Sequence, residues 1–237
     1  MSRRVEQRQI AVRTHGRYLV ERAGGGGGGG DGADDGADER PAGLLVGCHG
    51  YAENAEVHLE KLRRIPGAER WHLVAVQGLH RFYNPKTGDV LASWMTRQGR
   101  EQAVEDNVRY LAAVIAEVRR DLGADGRLVL AGFSQGVAMA YRAAAGSGFR
   151  CHGLLALAGD VPPDMAELAP STLPPVLLGR GTEDEWYTAE KMEQDLAALD
   201  RLGVEVELCV FEGGHVWSPE FYRAAEGFLA RIAADGS

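Results

Sequence analysis

A chain of 237 residues and 25.5 kDa has room for one α/β domain with a sizeable core and would be cramped as two. A formal net charge of -8 and a pI near 5.4, with basic residues that are nearly all arginine and dispersed, argue against nucleic acid, which requires clustered positive charge. Cys48, Cys151 and Cys209 are an odd set without C-x-x-C spacing, so the expectation is buried free thiols in a reducing compartment rather than a disulfide framework or a zinc ribbon.

The segment from Met1 to Gln7 is charged with no apolar stretch behind it, and no window approaches about 18 apolar residues. This predicts a soluble cytoplasmic protein with no integral membrane segment. Arg4 to Arg13 alternates loosely around Ile10 and Val12, Gly16 offers a turn, and Arg17 to Glu21 resumes, which reads as an antiparallel hairpin at a sheet edge. Seven consecutive glycines, Gly24 to Gly30, lead into an acidic Gly/Ala/Asp tract up to Glu39. With nothing to bury and much conformational entropy to lose, residues 24–38 are expected to be a disordered surface loop inside a single domain spanning 1–237. A phosphate cradle is disfavoured, because no Gly-Lys-Ser/Thr ending follows and the adjacent carboxylates repel phosphate.

Leu44 to Cys48 reads as a buried strand ending in His49-Gly50-Tyr51, and the helix after it, roughly Asn54 to Arg64, places Leu59 and Leu62 on one face. Trp71 to Val76 is the next strand. Gln77 to Arg100 is a long connection containing His80, Phe82, Tyr83, Pro85 and Trp94, and connections of this length are more often functional than not. Glu101 to Leu122 carries Val104, Val108, Leu111, Ile115, Val118 and Leu122 at helical spacing. Arg127 to Ala131 is a strand that Gly132-Phe133-Ser134-Gln135-Gly136 breaks sharply, and a helix runs on to Gly146. Strand, G-x-S-x-G and helix together describe a nucleophile elbow, in which glycines let the chain turn while Ser134 is held out at the strand end. The bland rival is a glycine-rich turn in which Ser134 only caps a helix.

A strand near Gly153 to Ala158, a proline-rich loop, a strand Val176 to Gly179, a helix Thr188 to Leu202, a strand Val204 to Phe211 and a helix Pro219 to Ala233 complete the chain. Alternation from residue 43 onward implies an α/β fold, a mostly parallel sheet with helices on both faces and ligands at the C-terminal strand ends.

A serine nucleophile needs a base, and the base needs an acid to fix its tautomer. His215, in Gly213-Gly214-His215-Val216-Trp217, follows the last strand, and Asp184, in Gly181-Thr182-Glu183-Asp184-Glu185, follows the strand at 176–179. The order Ser134, Asp184, His215 is that of an α/β-hydrolase triad. Glu183, Glu185 and, after the preceding strand, Asp160 compete for the acid role, while His15, His58 and His72 look structural or solvated. No two histidines have metal-ligand spacing, so no metal site is expected, and chemistry on a serine, histidine and aspartate requires no cofactor. The oxyanion hole falls to the backbone N–H groups of Gln135 and Tyr51, with His49 expected to hold its loop and not to react. Tyr51, Phe82, Tyr83, Trp94 and Trp217 are the candidate substrate wall, the lesser alternative being that Trp94 and Trp217 simply pack the long connection onto the body.

His49-Gly50 after a buried strand, Gly132-Phe133-Ser134-Gln135-Gly136, Gly181-Thr182-Glu183-Asp184 and Gly213-Gly214-His215 together resemble the phospholipase/carboxylesterase family of α/β-hydrolases, which includes the acyl-protein thioesterases. The resemblance covers about residues 43–233 and implies cofactor-free hydrolysis of small-molecule carboxylic esters or thioesters through an acyl-enzyme on Ser134, with Asp184 and His215 completing the triad. Departures are Tyr51-Ala52-Glu53 where acyl-protein thioesterases usually carry Leu-Gly-Asp, Arg180 where histidine is frequent, and the polyglycine insertion. A shallow cleft without a lid domain points to short and medium acyl esters. A thioesterase or lysophospholipase on the same machinery and a catalytically silent binding module are the alternatives.

Overall fold

In the computed structural model, which describes residues 5–24, 42–124, 126–167 and 173–234, the apolar runs become a seven-stranded sheet. Its strands are β1 (Arg17–Glu21), β2 (Leu44–Cys48), β3 (His72–Gln77), β6 (Leu128–Phe133), β7 (Gly153–Leu157), β8 (Val176–Gly181) and β9 (Val206–Phe211), in the order β1-β3-β2-β6-β7-β8-β9. Every neighbour pair is parallel except β1 with β3.

The antiparallel pairing expected at the N-terminal edge is present, with a different partner. β1 pairs with β3, Tyr18 opposite Val76, and the described residues 5–16 form no strand. Val5, Ile10 and Val12 are largely exposed, so the alternation around them has no apolar face to bury and a hairpin there gains nothing. Of the predicted disordered loop 24–38, all but Gly24 lies outside the described residues.

The parallel strands other than the edge strand β9 are buried on both faces, and the side-chain alternation assigns each face its helices. Leu44, Val46, Leu128 and Leu130 share one core cluster with residues of α2 (Arg100–Leu122), α3 (Gln135–Gly146) and α4 (Ala189–Arg201), including Leu111, Ile115, Val137, Tyr141 and Leu199. Leu45, Leu73, Val129 and Leu155 point the other way, onto α1 (Ala55–Arg63) and α5 (Pro219–Ala234), where Leu59, Leu62, Phe221 and Phe228 meet them. α1 starts where Asn54 Oδ1 accepts the Val57 N–H at 2.9 Å, satisfying one of the orphan donors of the first turn. It lies so close to β2 that a Cβ on Gly47 would stand 2.4 Å from the His58 ring.

The long connection is more ordered than its composition predicts. β4 (His80–Tyr83) and β5 (Val90–Ser93) pair antiparallel as a separate hairpin, and a bridge from Glu53 to Ala92 fastens it to the loop after β2. Along the main sheet the chain moves outward from β2 to β3 and then returns to β6 on the other side of β2. The order therefore reverses between β2 and β6, and the crevice at the carboxyl ends of that pair is where open α/β sheets receive ligands. His49-Gly50-Tyr51 and Ser134 leave the sheet at this crevice.

Candidate active site

Ser134 follows β6 with φ 52° and ψ -121°, a conformation that L-residues rarely adopt and that costs of order 1–3 kcal/mol. Two glycines make the turn possible. A Cβ at Gly132 would stand 2.5 Å from the Val137 Cα, and one at Gly136 would stand 2.0 Å from the Cys48 carbonyl oxygen, so the start of α3 approaches the ends of both β6 and β2 closer than any side chain permits. The Ser134 N–H donates to the Leu157 carbonyl at 2.9 Å, and its side chain forms no capping hydrogen bond with α3. The helix-capping alternative is therefore not the arrangement found.

His215 stands in the loop after β9, half-buried against the Phe133 ring at 5.0 Å. Its Nδ1 is 2.8 Å from Asp184 Oδ2. Asp184 is 3% exposed and its other oxygen accepts the backbone N–H groups of Trp186 and Tyr187, each at 2.8 Å. Those bonds fix the carboxylate so that Oδ2 alone faces the imidazole, and an ionised acceptor there holds the proton on Nδ1 and leaves Nε2 as a base. Of the competing acids, Glu183 and Glu185 are exposed, and Asp160 pairs with Lys191 at 3.4 Å. Arg180, where the family often has histidine, is a brace. Its buried guanidinium donates to the Tyr187 and Thr182 carbonyls at 2.9 and 3.2 Å, clasping the loop that carries Asp184.

Across the crevice the backbone N–H groups of Tyr51 and Gln135 have no acceptor among the described residues. The Tyr51 loop is held by Glu53, whose Oε2 accepts the Gly50 N–H at 2.9 Å, and Ala52 adopts φ 60°. His49 is fully buried, and burial lowers it to about 4, so the ring is neutral. Its Nδ1–H donates to the Gly50 carbonyl at 2.6 Å while Nε2 accepts the Gly78 N–H at 2.9 Å, which makes it the hinge pin of this loop. The Gln135 side chain ties the elbow to the connection from β5 to α2, accepting from the Trp94 N–H at 2.9 Å and donating to the Met95 carbonyl at 3.0 Å.

Ser134, Gln135 and His215 line one cavity of about 450 Å³, within the range of small-molecule sites. The expected aromatic wall is not there. Trp94 is fully buried, its indole N–H donating to the His49 carbonyl at 2.8 Å, and Trp217 is enclosed by Phe133, Phe221 and Tyr222. Tyr51 stacks on Phe82 at 5.8 Å, Tyr83 is 73% exposed, and none of these five side chains lines the cavity. The wall is made instead by Met95, Ala138, Val161, Pro162, Pro163 and Trp186. Sequence reasoning passed over Trp186, and the signal was its place two residues beyond Asp184 in a strand-end loop. Val161 is fixed from behind by Asp195, whose Oδ2 accepts the Val161 N–H at 2.9 Å and the Tyr187 hydroxyl at 3.0 Å; burial pushes this carboxyl up to about 6.

Trp94→Ala is thus expected to act on the whole molecule. Removing a buried indole costs about 3–5 kcal/mol, and activity should fall by a similar factor on acetate, butyrate and octanoate esters, as denaturant melts and an ester series would show. Selective loss of the longer esters would return Trp94 to the wall.

The fold and the loops at its strand ends define an α/β-hydrolase. This chain belongs to the phospholipase/carboxylesterase family, whose family model matches residues 36–233. Solved structures with the same fold include esterase PE8, 24% identical over 92% of this chain and 98% of that one with a TM-score of 0.69. The carboxylesterase of Bacillus cereus, 15% identical over 92% and 94% of the two chains, superposes with a TM-score of 0.70. Acyl-protein thioesterase 2 of Zea mays, 19% identical over 92% and 99%, gives 0.67. At these identities the likeness is one of fold. No curated protein matches the chain. Among the described residues no helix is long and apolar enough to cross a membrane, and no group of His, Cys, Asp and Glu could hold a metal ion.

Proposed function

We propose that this protein is a serine carboxylic-ester hydrolase that works through an acyl-enzyme, with Ser134 as nucleophile, His215 as general base and Asp184 as the acid that orients it. The observation that carries the reading is one cavity holding an elbow serine and a histidine whose far nitrogen is bonded at 2.8 Å to a buried, doubly anchored carboxylate. In this reading Ser134 Oγ attacks the ester carbonyl as His215 Nε2 takes its proton, and the Tyr51 and Gln135 N–H groups receive the oxyanion. Collapse expels the alcohol, which takes the proton from His215. Water, activated by the same imidazole, then releases the acid and restores Ser134. No step needs a cofactor. The modest cavity and its partly apolar wall favour short and medium acyl groups.

A fluorophosphonate probe tests the assignment without knowledge of the natural substrate. Wild-type protein is expected to take up one label per chain, on the peptide containing Ser134, and His215→Ala should slow labelling by at least about 10³, because the hydroxyl loses its base. Labelling of another residue, or none on folded protein, would reject the mechanism.

A further inference from the structure

The rim of the proposed site carries positive charge on a protein of the opposite sign. Arg97, Arg100 and Lys191 line the cavity that holds Ser134 and His215, against one carboxylate, Asp160, in a chain of net charge -8. Lys191 is committed, 3.4 Å from Asp160 and donating to the Trp186 carbonyl at 2.8 Å. Asp164, near enough to feel Arg100, is held by Arg142 through two bonds of 2.6 and 2.8 Å. The side chains of Arg97 and Arg100 make no ion pair or hydrogen bond with the described residues. Both extend from a segment whose backbone is fixed to the elbow: the Gln135 side chain holds Trp94 and Met95, and Asn107 Nδ2 donates to the Trp94 carbonyl at 2.8 Å. Two guanidinium groups that bond no described residue, on an anchored backbone beside the proposed reacting centre, suit an anion, since a guanidinium matches the planar fork of a carboxylate or phosphate.

We propose that Arg97 and Arg100 form an anion subsite, so that the preferred esters carry a carboxylate or phosphate group. This rests on the ester-hydrolase reading and narrows it to a substrate class. The apolar wall at Met95, Val161 and Pro162 takes the uncharged part of such a molecule, while the positive rim draws it in against the field of the rest of the surface.

The test compares matched esters, each rate normalised to its alkaline hydrolysis. The butyrates of para-hydroxybenzamide, para-hydroxybenzoate and para-hydroxyphenyl phosphate place no charge, a carboxylate or a phosphate on the leaving group; para-nitrophenyl hexanoate and monoadipate make the same comparison on the acyl side. In at least one set the anionic to neutral ratio of kcat/KM is expected to reach about tenfold, the scale of one charge-assisted hydrogen bond, and to shrink in about 0.5 M salt. Which set responds identifies the end of the substrate that reaches the arginines, and the carboxylate and phosphate arms identify the anion. Arg97→Glu with Arg100→Glu should bring the ratio below one, and Arg97→Gln with Arg100→Gln should bring it near one, with melting curves confirming that both fold. A wild-type ratio at or below one in both sets, or a ratio unmoved by either double variant, overturns the subsite. If the neutral esters are hydrolysed without anionic preference, the subsite alone fails; if folded wild-type protein hydrolyses none of the five, the ester-hydrolase reading fails and takes the subsite with it.

Discussion

Ser134→Ala is expected to lower ester turnover by about 10⁶ while leaving the fold intact, because the members of a triad act as a unit and loss of the nucleophile forfeits nearly all of their joint effect. The hydroxyl makes no capping bond, so its removal breaks no helix contact. The sharp turn is set by backbone and by glycines on either side, and alanine leaves those in place. Stopped assays with a sensitive chromogenic ester, beside circular dichroism and a melting curve, provide the measurement. Turnover within tenfold of wild type would mean that another group attacks the ester.

The second large effect is at the acid. Asp184→Asn should lower turnover by about 10⁴. Asparagine can still accept the Trp186 and Tyr187 N–H groups through its oxygen, which keeps the loop in place, but it then presents an amide donor to His215 Nδ1. The imidazole is forced to carry its proton on the wrong nitrogen and has no lone pair for Ser134. Asp160→Asn removes an exposed charge whose ion pair among the described residues is with Lys191, at 3.4 Å, and which does not bond His215, so it should have a far smaller effect. Steady-state kinetics on both variants decide the matter, and a larger loss at Asp160 would transfer the acid role to it.

Much of this architecture is legible in the residues because the signals are local and mutually consistent. Five-residue apolar runs such as Leu44–Cys48 and Gly153–Leu157 are too short for a core helix and fit strands buried on both faces, and the Val104 to Leu122 stripe has the period and length of a helix lying on them. Candidate site residues at strand ends follow from the same rule. What escaped depends on long-range pairing. Nothing in Arg17–Glu21 says that its partner is a strand more than fifty residues away instead of the chain just before it, because period-two alternation records exposure and not the neighbour. The tryptophans are a similar case. Trp94 and Trp217 carry the composition of a ligand wall, yet a carbonyl on His49 and a set of rings around α5 claim them, while Trp186 is brought to the cavity by the two N–H bonds that anchor Asp184.

The position of His215 sets how the molecule fails. Ser134 leaves β6, which has parallel partners on both sides, but His215 leaves β9, whose one neighbour among the described strands is β8 and whose Leu208 and Val210 are half exposed. Edge strands with incomplete cover open at lower free energy than the centre of a sheet, in fluctuations that leave the rest folded. In the proposed mechanism each such opening would part the imidazole from Asp184 and Ser134 together, leaving a form native in bulk but without its general base. The proposed activity is then expected to be lost through the fraying of one strand before the core beneath it melts.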